Sequence, residues 1–106
     1  MRPEAADALA VLGMQIRRAR QARGWTVKEV AHRIGVSART ISATESGVPG
    51  TAVGTVFNAA AAVGVPLFGV EDRFELARMR RRGEELQALL PSRVDRRDEE
   101  PGDFDF

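Results

Sequence analysis

The stretch GVSARTISATESG, Gly35 to Gly47, decides how this chain is read. Gly35 supplies the left-handed backbone that a tight turn needs. Val36 packs beneath the turn, and Ser37 is a helix cap. The residues that follow form a short helix, closed by Gly47. Ile41 is its one strongly apolar residue. Packing of an apolar face supplies most of a helix's stability, so a helix this polar needs a partner on its bare side. That side carries Ala38, Arg39, Ser42 and Ala43.

Upstream, Leu9, Leu12, Ile16, Ala19 and Arg23 recur at three- and four-residue steps, the spacing of one helical face. They predict a first helix running to about Arg23, with Gly24 ending it. TVKE then reads as a capping box: Thr26 caps, and Glu29 reaches back to the Thr26 amide. Val27, Val30, Ala31 and Ile34 make the buried stripe of a short second helix. Two short helices joined by IGVS describe a helix-turn-helix. In that motif the first turn of the second helix faces base edges in the major groove. Arg39 suits guanine O6 and N7, the Ala38 and Ala43 methyls suit a thymine methyl, and Ser37 and Thr40 sit beside helix amides open to phosphate.

Downstream, Thr51 is expected to cap a fourth helix with Val53, Val56, Phe57, Ala60 and Val63 facing inward and Gly64 at its end. VPLF, residues 65–68, reads as an apolar loop suited to pairing two copies face to face. Asp72 caps a fifth helix through RFELARMRRRGEELQALL, stopped by Pro91. The expected class is all-α. A five-helix arrangement is divided into a DNA-binding domain over residues 1–72, a C-terminal helix over 73–90 and a disordered acidic tail over 91–106.

Charge is unevenly spread. Between Met14 and Gly50 stand Arg17, Arg18, Arg20, Arg23, Lys28, Arg33 and Arg39 against Glu29 and Glu45. From Asp98 onward come Asp98, Glu99, Glu100, Asp103 and Asp105 with no base. Arg17 and Arg18 face either phosphate or water; Lys28 stands on the phosphate side. Phe104 and Phe106, set among acids, read as anchors for a protein partner. With no cysteine and the single His32, neither thiolate chemistry nor a metal or cofactor site is expected. No apolar run approaches the roughly 20 residues that span a bilayer. Glu4 and Asp7 make the opening residues a helix rather than a signal peptide. No paired carboxylates have a buried setting, no Ser sits beside a His and no glycine-rich loop resembles a phosphate cradle, so no catalysis and no small-molecule substrate are expected. A cytoplasmic protein results.

RRARQARGWTVKEVAHRIGVSARTISATESG resembles the Cro and lambda-type repressor group, the XRE helix-turn-helix family, over residues 9 to 66. The resemblance implies a lambda-repressor-like fold in which Arg20 and Glu45 form a partly buried ion pair. It assigns Ala38, Arg39, Ser42 and Ala43 to bases, and Thr26, Ser37 and Thr40 to phosphates. Two positions depart from the pattern. Val27 stands where a phosphate-holding Gln is usual. Thr44 stands where an apolar residue is usual, so the end of the third helix is expected to pack less firmly. GTAVGTVFNAAAAVGVPLFG, LQALLPSRV and the DFDF ending resemble HipB-like antitoxins encoded beside HipA-like toxin kinases. This second resemblance implies a homodimer on a palindromic double-stranded operator, with a toxin as partner.

Plainer readings stand beside these. Trp25 staples the first helix to the second, and His32 is a surface side chain. RMRRR at 78–82 is a solvated face. A stand-alone regulator without a toxin, or an adaptor that has lost DNA binding, would carry much the same sequence. RNA is disfavoured because the A-form major groove is too deep and narrow for such a helix.

Overall fold

In a computed structural model, residues 1–92 are described. The acidic tail with Phe104 and Phe106 lies outside them. Five helices follow one another: α1 (Pro3–Ala22), α2 (Val27–Ile34), α3 (Ala38–Glu45), α4 (Val53–Val63) and α5 (Arg73–Ala88). The described residues form no strand beyond an isolated bridge between Leu67 and Val70. The chain divides into two compact units, residues 1–71 and 72–106.

The first unit is built on short-range signals. Pro3 opens α1, where its missing N–H costs nothing. Thr26 caps α2 by accepting from the Glu29 N–H at 3.1 Å. The return arm of the capping box, from the Glu29 carboxylate to the Thr26 amide, does not form; both residues are exposed. Gly35 closes α2 at φ 72°, and Ser37 caps α3 by accepting from the Thr40 N–H at 3.1 Å. Ile16, Val30, Ala31, Ile41, Val56, Ala59, Ala60, Val63 and Val65 make the core. Every one of these helices contributes, and α3 gives only Ile41 as an apolar member.

Four expectations are corrected. Thr51 does not cap α4: the cap position is Ala52, without a side-chain bond. The Thr51 hydroxyl instead donates to the Val48 carbonyl at 2.8 Å, an acceptor in its own preceding turn. Val53 is not inward but 65% exposed; at the first residue of α4 it lines an open apolar groove with Ala5, Leu9 and Leu12 of α1. The VPLF loop is not an exposed apolar face throughout. Val65 belongs to the core and Leu67 packs against it, leaving Phe68 exposed at φ 54° beside Gly69 at 71°. Positive φ at both centres makes the tight turn that carries the bridge. Finally, Thr44 does not loosen α3. It is fully buried, and its hydroxyl donates to the Thr40 carbonyl at 2.8 Å, so its methyl enters the core with no polar atom stranded.

At Gly13, α1 lies close against the end of α3. A Cβ on Gly13 would stand 2.6 Å from the Glu45 carbonyl oxygen and 2.7 Å from that of Thr44. Both obstacles are backbone, so α1 lies directly on the last turn of α3 only because residue 13 has no side chain.

The second unit contains α5, capped by Asp72, whose carboxylate accepts from the Phe74 N–H at 2.8 Å. It ends at Ala88 with Leu89 as its C-cap, two residues short of the expected Leu90. The 78–82 arginines engage carboxylates along the helix: Arg78 and Arg82 with Glu75, and Arg80 with Glu84. The hydrogen bond from Arg78, with lesser help from Arg82, holds the Glu75 carboxyl below the usual carboxylate range.

Gly13→Ala is expected to destabilise the first unit by about 1–3 kcal/mol from overpacking, more than the roughly 1 kcal/mol that alanine adds in helix propensity. Urea denaturation would show a lower midpoint with an unchanged slope.

Candidate nucleic-acid interface

Three elements meet at one guanidinium. Arg20, near the end of α1, donates from Nε to Glu45 Oε2 at 2.7 Å and from Nη2 to Oε1 at 3.1 Å. Its Nη1 donates to the Trp25 carbonyl at 2.8 Å. The two side chains are 12% and 6% exposed. The hydrogen bond to Glu45 raises the Arg20 pKa against the opposing effect of burial, so the guanidinium keeps its charge. A bidentate fork fixes orientation as well as distance. It holds the last residue of α3 and the α1–α2 connection to one side chain.

Held from behind in this way, α3 has two distinct faces. Ile41, Thr44 and Glu45 are buried. Arg39 and Ser42 are exposed, while Ala38, Thr40 and Ala43 are half-buried. Among the described residues Arg39 makes no ion pair and no side-chain hydrogen bond. Ser46, exposed, continues the line of Arg39, Ser42 and Ala43 by one more helical step. The sequence reading placed Ser46 inside the third helix but did not assign it a role, although its offset of seven from Arg39 was the available signal; in the structure it is the C-cap of α3. The Ser37 and Thr40 hydroxyls stand 2.9 Å apart at the start of α3.

The basic residues fall into two groups. Arg17, Arg18 and Lys28 are exposed, and among the described residues no carboxylate lies within ion-pair distance of them. Thr26, also exposed, keeps its hydroxyl on the α2 cap. Arg23 and Arg33 instead stack on Trp25, their guanidinium carbons 5.0 and 4.0 Å from a ring centroid, a cation–π arrangement. Arg23 also donates to the Val63 carbonyl at 2.8 Å, tying the end of α4 to the α1–α2 corner. Sequence periodicity placed Arg23 on the inner face of α1 but gave no sign of an acceptor forty residues away. Trp25 itself packs against the core. No three His, Cys, Asp or Glu side chains converge as metal ligands among the described residues, and no described helix is long and apolar enough to cross a membrane.

The arrangement is a short helix fixed by a buried ion pair, with small and hydrogen-bonding side chains outward and, among the described residues, cations without a carboxylate partner on neighbouring helices. Such a surface is complementary to a polyanion. A family model described as a helix-turn-helix domain matches residues 11–71, more than half of the chain and all of α2, α3 and α4. No curated protein matches the chain, nor does any solved structure.

Replacing Arg20 with Ala strands a buried carboxylate and is expected to cost about 3–5 kcal/mol, while Arg20→Met combined with Glu45→Leu recovers most of that loss. A double-mutant cycle by chemical denaturation measures both.

Proposed function

The chain belongs to the helix-turn-helix domain family, and from that premise we propose that it is a sequence-specific transcriptional repressor that reads DNA with α3. The observation that carries this reading is Arg39, exposed and without a partner among the described residues, on a helix whose opposite face is locked by the Arg20–Glu45 pair. Ala38, Arg39, Ser42 and Ala43 face bases. Arg17, Arg18, Thr26, Lys28, Ser37 and Thr40 face phosphates, and release of counterions from those phosphates makes affinity fall with salt. Val27 supplies no polar group to the backbone, so the cations carry more of the phosphate contact. Two copies on a palindromic operator place their half-sites one helical turn apart, about 34–36 Å. The role asks for no catalysis.

A narrower reading makes the protein the antitoxin of a HipA-like toxin kinase, repressing its own operon. What supports it is the resemblance of residues 50–106 and the pairing of a basic DNA-facing body with an acidic, Phe-bearing end. Phe104 and Phe106 are the partner anchors in that reading. Co-purification with the product of the adjacent gene tests it directly.

Arg39→Ala should weaken binding to the operator by about 1–3 kcal/mol and binding to random DNA far less; equal losses in a gel-shift titration would leave Arg39 a phosphate contact only. Deletion of residues 92–106 should spare operator binding and weaken toxin binding, and full neutralisation of the toxin by the truncated protein would remove the tail from the account.

A further inference from the structure

Thr26 keeps its hydroxyl on the α2 cap, and Val27 has no polar side chain. Neither can swing to follow a phosphate, so a phosphate contact at this end of α2 is made wherever the helix start lies. What fixes that start is therefore part of DNA binding. Its main chain is held by Arg20, which donates to the Trp25 carbonyl at 2.8 Å. The Trp25 side chain is held differently.

Two guanidinium groups lie over the indole, one from before it in the chain and one from after. Arg23 stands with Cζ 5.0 Å from a ring centroid. Arg33, in the last turn of α2, stands at 4.0 Å. Arg23 is itself anchored, since its Nε donates to the Val63 carbonyl at 2.8 Å. Gly64 leaves it room: a Cβ there would stand 2.7 Å from Arg23 Nη2. Arg33 has another partner within reach that it does not take. Glu29 precedes it by four residues, the spacing and order of a favourable helix ion pair, and both residues are exposed. Among the described residues no ion pair joins the two, and the guanidinium reaches the indole instead. Helix side chains lean toward the N-terminus, which carries Arg33 back to the ring. Two cations on one ring repel each other, and the negative face of the indole offsets that repulsion. The ring thus ties three places to one point: the end of α4 through Arg23, the α1–α2 connection, and the last turn of α2.

We propose that Trp25 is a positioning residue for DNA binding: stacked by Arg23 and Arg33, it sets where α2 presents Thr26 and Lys28 to the DNA backbone. This role rests on the reading of the chain as a DNA-binding regulator, and it gives the two stacked arginines a part that needs no contact with DNA. Phosphates are common to every duplex, so loss of the stack weakens operator and random DNA alike, unlike loss of Arg39.

Trp25 is the only tryptophan of the chain, so a tryptophan analogue supplied during expression enters at that position alone. Fluorine on the indole withdraws charge from the ring face with little change of size, and it leaves every ionised group of the protein in place. Along a series of increasing fluorine number, affinity is measured well below the melting temperature, with folding checked by circular dichroism. It is expected to fall stepwise, by about fivefold in all, and in the same proportion on operator and random DNA. Arg33→Gln should lose a similar factor, and Arg33→Lys should recover most of it. If the melting temperature falls along the series while the folded proteins bind DNA like the parent, the stack is structural only and the proposal is overturned. It is overturned as well if the fluorinated proteins bind like the parent while Arg33→Gln binds worse, since Arg33 is then a phosphate contact. If the parent protein retards no duplex, its own upstream DNA included, the regulator reading falls and this role falls with it.

Discussion

The Arg20–Glu45 fork is the constraint on which the first unit turns. A surface ion pair contributes little, but this one lies under protein, at 12% and 6% side-chain exposure. Burying two charges is favourable only if their donors and acceptors are matched. Here the guanidinium uses two nitrogens on the carboxylate and a third on the Trp25 carbonyl. One side chain thus sets the position of α3 relative to α1 and the entry into α2. The contact also needs α1 to lie close, and Gly13 permits that by leaving the Thr44 and Glu45 carbonyls uncovered. The charge pair and the missing side chain are one device: the first aligns the helices, the second lets them touch.

The polarity of α3 follows from this. A helix of eight residues offering only Ile41 as an apolar core member would not persist on its own. Anchored through Ile41, Thr44 and Glu45, it needs nothing from its other side. Arg39, Ser42 and Ala43 are therefore free of structural duty. The same economy governs the cations: Arg20, Arg23 and Arg33 are spent on the fold, through carboxylate, carbonyl and indole. Among the described residues Arg17, Arg18, Lys28 and Arg39 have no such partner. A count of basic residues overstates the electrostatic footprint, and only their partners show by how much.

The second unit obeys a different logic. In α5 the short-range terms are all in place, with an Asp cap and three ion pairs along the helix, but no burial supports them. The expected dimer contact at residues 65–68 drew on apolar composition alone. Val65 and Leu67 are committed to the core, and of that loop only Phe68 is left as an exposed large apolar side chain.

Much of the fold was legible in order along the chain, because caps, glycine stops and helical periodicity act over three or four residues. Thr26, Gly35, Ser37, Gly64 and Asp72 mark boundaries that hold to within a residue or two. Local rules failed where two segments compete for one group: the Thr51 hydroxyl turned back to Val48, and Val53 ran past the end of the core. The outward face of α3 could be drawn from the sequence as well, since periodicity separates Arg39 and Ser42 from Ile41 and Thr44. By itself, then, the sequence determined the five helices, the tight turn at Gly35 and the bare side of α3. Only the tertiary structure decided that Gly13 is a contact point, that Thr44 tightens rather than loosens its helix, and which arginines are bound and which are open. The first and last of these depend on groups up to forty residues apart meeting within a few ångström, which no periodicity within one segment encodes; Thr44 closes its hydroxyl on a carbonyl four residues back, and its burial is what the packing around α3 decides.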